Sequence, residues 1–209
     1  MYGPISFRVL KALLWILFFV LGPMRVRGKS NVPRTGGLLV LANHLSDIDP
    51  PAVGNAVPRM MYFMAKSELF SVRFLGWIIR YCRAYPVRRG KPDREALQKT
   101  IDLLKEGNCV VLFPEGEISE DGNPIPLQPG ASLIIRRSRA TVICCGLVGT
   151  NRILPFRKVI PRPAFVGVSA NFGVPKQFAE NVGDDEVMNW INGELETLTG
   201  QKRPEYNPK

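Results

Sequence analysis

The chain begins with a continuous apolar stretch, Ala12 to Leu21, and then changes rhythm. Residues 24–28 (MRVRG) alternate apolar and polar with period two, as a half-buried strand does. Residues 37–43 (GLLVLAN) form an unbroken apolar run, the pattern of a strand covered on both faces. Residues 59–65 (RMMYFMA), 108–116 (NCVVLFPEG), 140–150 (ATVICCGLVGT) and 163–173 (PAFVGVSANFG) predict further strands, and the second of these runs into a loop. Between them the period becomes helical. In 93–107 Asp93 is placed to cap, Leu97, Ile101 and Leu104 share a face, and Gly107 can end the helix. A short helix is predicted over 130–139, and a longer one over 184–198 with Val187, Ile191, Leu195 and Leu198 in step. Strands alternating with helices predict an α/β fold: a single domain, residues 24–200, with a mostly parallel central sheet flanked by helices. The proline-containing segment 201–209 predicts a flexible tail.

Residues 1–23 stand apart. Their apolar core is shorter than the ~20 residues a spanning helix needs. A signal peptide fits poorly, because Gly22-Pro23-Met24-Arg25 offers no small-x-small cleavage site. The pattern predicts a helix lying in a membrane interface, with Arg8 and Lys11 at the headgroups and Trp15, Phe18 and Phe19 in the acyl boundary. The plain alternative is a buried core helix.

Composition narrows the function classes. A hydrophobic fraction of 45% over 209 residues excludes a disordered chain and supports a real core. The net charge of +10 favours an anionic partner: nucleic acid, a membrane surface or a phosphorylated substrate. The basic residues are dispersed among apolar blocks without a helix-turn-helix, finger or RNA-binding signature, so no nucleic-acid partner is expected. Gly28-Lys29-Ser30 would end a nucleotide-binding P-loop only if position 23 were glycine, and it is Pro23. Cys82, Cys109, Cys144 and Cys145 have no C-x-x-C spacing, and all but Cys82 lie in apolar runs. They read as small core residues in a reducing compartment, and with one histidine in the chain no metal site or other cofactor is expected.

That one histidine, His44, follows the apolar run 37–43 and precedes Asp49 by five residues. An imidazole suits general-base work, and a nearby carboxylate can orient it and stabilise its cation. No serine or cysteine sits in a nucleophile elbow, so the simplest chemistry is direct attack by a substrate hydroxyl on an activated acyl group. The competing structural role for Asp49 is to cap a helix starting at Pro50, and His44 could be a polar strand end. The strand-end segments 41–49 and 112–119 could meet in one crevice beyond the sheet.

The segment NHLSDID (43–49) resembles the N-H-x-x-x-x-D motif of the glycerolipid acyltransferases, the 1-acyl-glycerol-3-phosphate (lysophosphatidate) acyltransferase family. Three further blocks are similar, in the family's order: residues 66–93 with Arg89 on the characteristic arginine, FPEGEIS (113–119), and ATVICCGLVGT (140–150). The resemblance implies acyl transfer from acyl-CoA or an acyl-acyl carrier protein to a lysophospholipid, with His44 as base and Asp49 as its orienter. It implies that Arg89, with Glu115 and Gly116, places the phosphoglycerol part, and Arg88 could share this work. Glu117, Ile118 and Cys144 depart from the family's usual threonine, arginine and proline, and the missing arginine bears on which headgroup is accepted. The implied partners are membrane lipid, an acyl thioester donor and, as one option for the carrier, an acyl carrier protein; the implied place is the cytoplasmic face of a membrane. The basic residues Arg25, Arg27, Lys29 and Arg34 would add attraction to anionic lipid. A buried apolar groove should receive the transferred chain. A thioesterase using the same His–Asp pair on water, and a non-catalytic lipid-binding protein, are the rival readings.

Overall fold

The central strand, β2 (Leu38–Ala42), is apolar at every position and fully buried. Because side chains alternate across a strand, Leu38, Val40 and Ala42 enter one core layer while Leu39 and Leu41 enter the other. In the computed structural model, which describes residues 4–88, 93–164 and 167–206, this strand sits fourth in a seven-stranded sheet. The order is β1 (Met24–Arg27), β7 (Val168–Phe172), β6 (Thr141–Val148), β2, β5 (Cys109–Leu112), β3 (Met61–Lys66), β4 (Ala84–Val87). The strands from β6 to β4 run parallel; β7 pairs antiparallel with β6, and β1 runs with β7. This is the mostly parallel α/β sheet that the alternating pattern predicts.

Helices cover both faces. On one face α1 (Pro4–Leu21) and α2 (Asp49–Ala56) contribute Phe18, Ala52 and Val53 to the core. On the other, α4 (Arg94–Lys105), α5 (Gly130–Ser138) and α7 (Asp184–Thr199) contribute Ile101, Leu104, Ile134, Ile135, Val187, Ile191 and Leu195. Asp93 caps α4 as expected, its Oδ1 accepting from the Ala96 N–H at 3.2 Å. Gly146 lets α7 approach β6 closely: a Cβ there would lie 2.6 Å from Leu198 Cβ. Cys109, Cys144 and Cys145 are buried free thiols, as their apolar surroundings predict. The short α6 (Thr150–Ile153) follows β6.

Three expectations change. First, the pattern does not predict α3 (Arg73–Tyr81) or β4. The helix is short with little buried surface, and β4 carries Pro86, which an edge strand tolerates. Second, α1 is neither wholly interfacial nor wholly buried. Phe18 is buried in the core and Lys11 turns inward to donate from Nζ to the Val57 carbonyl at 2.6 Å, whereas Val9, Leu13, Trp15 and Phe19 are exposed. A helix whose apolar residues surround it still packs one stripe inward, and that stripe takes Phe18 and Lys11. Among the described residues no helix is long and apolar enough to cross a membrane. Third, the tail after Gly200 is docked at least through Arg203, which is buried. The left-handed Gly200 (φ 71°) turns the chain back over α7, and Asn192 Nδ2 donates to the Pro204 carbonyl at 2.9 Å.

Candidate active site

The chain leaves β2 through α2 on one face of the sheet and leaves the adjacent β5 through α5 on the other. Neighbouring parallel strands whose connections part in this way open a crevice at their carboxyl ends. Segments 43–49 and 113–119 meet there.

Asn43 makes the exit from β2 possible. Its Nδ2 donates to the Leu147 carbonyl at 3.0 Å, and its Oδ1 accepts from the Leu147 N–H at 2.7 Å. The amide thus stands in for a peptide unit and continues the ladder to β6 while the backbone turns away. His44, next in line, is buried, and its ring stacks on Phe113 with centroids 4.1 Å apart. Its backbone is held at both ends by the neighbouring loop: His44 N–H donates to Glu115 Oε2 at 2.9 Å, and the His44 carbonyl accepts from Ser119 N–H at 2.9 Å.

His44 Nδ1 lies 2.9 Å from Asp49 Oδ2. A carboxylate only accepts, so the neutral imidazole carries its proton on Nδ1 and leaves Nε2 with a free lone pair. The same Asp49 oxygen accepts from the backbone N–H groups of Leu45 at 2.6 Å and Ser46 at 2.7 Å. It therefore reaches back over the loop instead of capping α2, whose N-cap is Ile48 with no side-chain hydrogen bond. Ser46 fixes the loop from the other side, its Oγ donating to the Leu154 carbonyl at 2.6 Å. The geometry is that of an oriented general base, a histidine locked in one tautomer by a buried carboxylate.

The other expected site residues divide. Glu115 is turned inward: Oε2 holds the His44 N–H and Oε1 lies 2.7 Å from Arg203 Nη2, with both side chains buried. Burial pushes this carboxyl above its ordinary value, and the Arg203 guanidinium and the His44 N–H offset only part of that rise. Its carboxylate is thus engaged within the protein, stabilised by the buried guanidinium beside it. Gly116 has φ 75°, a left-handed turn that a Cβ would strain, and its N–H closes the turn onto the Phe113 carbonyl at 3.0 Å. Arg88 is exposed, with its N–H and Nε on Asp93 Oδ2 at 2.9 and 3.3 Å. Arg89 lies outside the described residues. Sequence reasoning missed Arg203 altogether, and Asn43 as a ladder-continuing residue; an amide ending a buried apolar strand was the available signal for the latter.

One apolar cavity of about 90 Å³ opens between α1, α2 and β3. Leu10 and Leu14 of α1, Pro50 and Gly54 of α2, and Phe63 of β3 line it, with Lys11 at its wall. Pro50 directly follows Asp49, so the cavity adjoins the His–Asp loop.

Fold and site together define an α/β protein with a buried His–Asp pair at a strand-end crevice. The model of the family described as Acyltransferase matches residues 23–148, and the chain belongs to that family. It is 32% identical over 132 residues to the 1-acyl-sn-glycerol-3-phosphate acyltransferase of Bacillus subtilis, covering 62% of this chain and 65% of that protein. It is 29% identical over 178 residues to the protein of the same description from Streptococcus pneumoniae, covering 82% and 64%. The matches thus span just under two thirds of these relatives' lengths. The crystal structure of the 1-acyl-sn-glycerophosphate (LPA) acyltransferase PlsC from Thermotoga maritima shares the fold, with a TM-score of 0.80 at 21% identity over 96% of this chain and 83% of that one.

Proposed function

We propose that this protein transfers a fatty acyl group from a thioester, acyl-CoA or an acyl-acyl carrier protein, to the free hydroxyl of 1-acyl-glycerol-3-phosphate, forming phosphatidic acid. The observation that carries the reading is the His44 Nδ1–Asp49 Oδ2 contact of 2.9 Å, locked by two backbone N–H groups on the same oxygen. Nε2 takes the proton of the acceptor hydroxyl as its oxygen attacks the thioester carbonyl. The tetrahedral intermediate then collapses, the C–S bond breaks, and the departing thiolate takes the proton back from the imidazolium. Asp49 stabilises the cation in between. No covalent acyl-enzyme is required.

Arg88 and Arg89 are the proposed contacts to the acceptor's phosphate, where the planar guanidinium matches phosphate oxygens. The apolar cavity beside Pro50 is the proposed entry for an acyl chain. Its volume is below the ~150 Å³ that holds a benzene-sized guest, so a long chain needs α1 to move outward. The protein works at a bilayer, seated by the exposed apolar face of α1 and by Phe74 and Trp77 of α3, with the surrounding arginines attracting anionic lipid.

The test is thiol release from acyl-CoA and, separately, from acyl-acyl carrier protein, with and without 1-acyl-glycerol-3-phosphate in mixed micelles. Acceptor-dependent release with formation of phosphatidic acid is expected. Release that ignores the acceptor would make the protein a thioesterase, and no release with either carrier would refute the reading.

A further inference from the structure

The family match ends at residue 148, yet the carboxylate that holds the backbone of the base is completed by a residue from the far end of the chain. Arg203 sits on the tail that Gly200 turns back from α7. Its Nη2 donates to Glu115 Oε1 at 2.7 Å and to the Ile125 carbonyl at 3.1 Å, and its Nε donates to Asn192 Oδ1 at 3.0 Å. Its own N–H reaches Glu196 Oε2 at 3.3 Å, and Gln201 Nε2 donates to the Gly122 carbonyl at 3.1 Å. The tail is therefore tied at once to α7 and to the loop that follows β5.

We propose that Arg203 is a positioning residue for the catalytic base: acting through Glu115, it fixes the backbone of His44 and so the aim of its imidazole. The proposal rests on the reading of His44 as the base. The path is short and every link is buried: guanidinium to Glu115 Oε1, Glu115 Oε2 to the His44 N–H, and the His44 carbonyl to Ser119 of the same loop. A buried carboxylate without its cation moves or takes a proton, since its charge is uncompensated in the interior. Either response alters the acceptor facing the His44 N–H, and the ring turns relative to Asp49 and Phe113. The segment after Gly200 thus serves the site through Glu115 and not by touching substrate.

A purely structural staple would make the same contacts, so the test must read the base itself. His44 is the only histidine, so the imaging of imidazole nitrogens by 15N–1H NMR reports one residue without assignment. In full-length Arg203→Met the Nδ1–H signal should shift or be lost to exchange. Its kcat should fall between ~10- and ~100-fold with KM for both substrates changed less than about twofold, as displacement of a positioned group predicts. Arg203→Lys, which keeps the charge, should restore part of both. The double variant Glu115→Gln/Arg203→Met removes the uncompensated charge and keeps an acceptor for the His44 N–H, so it should be more active than Arg203→Met alone. A folded Arg203→Met with unchanged imidazole signals and wild-type kcat would overturn the proposal. If Arg203→Met does not fold, Arg203→Lys decides: its signal and kcat must still move without a matching KM change, and unchanged values overturn it. Should the wild type transfer no acyl group, the functional reading fails, while the imidazole signals still report whether Arg203 positions His44.

Discussion

The His44 N–H and Glu115 Oε2 are joined at 2.9 Å across 71 positions of sequence. This contact makes the F-P-E-G loop a backbone clamp on His44. The Glu115 carboxylate faces inward, toward Arg203, so it presents no exposed negative charge to the crevice. On the proposed function the arrangement separates two tasks that the motif alone runs together, holding His44 and binding the acceptor's phosphate.

Loss of the base should abolish chemistry and spare the fold. His44→Ala is expected to lower acceptor-dependent thiol release at least ~10²–10⁴-fold, the usual share of a general base. Asp49→Asn should fall in a similar range, ~10²–10⁴-fold, because an amide can hold the wrong tautomer. Thermal melting should place both variants near wild type, and wild-type rates in His44→Ala would refute the mechanism.

Glu115 should matter for stability more than for acceptor affinity. Glu115→Ala strands Arg203 as a buried cation, which costs about 3–5 kcal/mol in comparable cases. Urea denaturation should show that loss, and Glu115→Gln should lose less because it still accepts from His44 N–H. A selective rise in the acceptor's KM with full stability in Glu115→Ala would return Glu115 to the substrate.

Lys11 gives a pH signature. Burial, aided by the charge of Lys29, lowers its pKa from 10.5 to about 8. Between those values the unfolded chain binds the proton and the folded protein does not, so stability from this group rises as pH rises through that window. Chemical denaturation at about pH 7.5 and about pH 10 should show this slope in the wild type and a weaker one in Lys11→Met. Equal slopes would mean that Lys11 is not the group responsible.

Membrane seating should depend on the outward face of α1, not on its inward stripe. Trp15→Ser/Phe19→Ser should reduce co-sedimentation with vesicles containing phosphatidylglycerol and leave the melting temperature unchanged. Phe18→Ala should do the reverse, losing about 3–5 kcal/mol of stability as a core aromatic truncation. Undiminished vesicle binding by the double variant would remove α1 from the interface.

Much of this protein was legible in its linear pattern because the signals were local. A five-residue run such as Leu38–Ala42, too short for a helix of ordinary length, reads as a strand covered on both faces, and the spacing of Val187, Ile191 and Leu195 reads as a helix stripe. The His44–Asp49 pair is separated by only the short loop between β2 and α2, so its residues and spacing could point to it. Charge, by contrast, carried no address. Nothing along the chain distinguishes Arg203 from the other cations, or says that Glu115 turns in while Arg88 stays out. Nor could the run from Ala12 to Leu21 tell which apolar side chains meet the core and which meet the surroundings. Those choices rest on desolvation and on partners brought from distant parts of the chain. Local propensity determined most of the elements, though not α3 or β4, and the proximity of His44 and Asp49; only the packed tertiary structure decided which buried charge compensates which, because that energy exists only once both groups have left water.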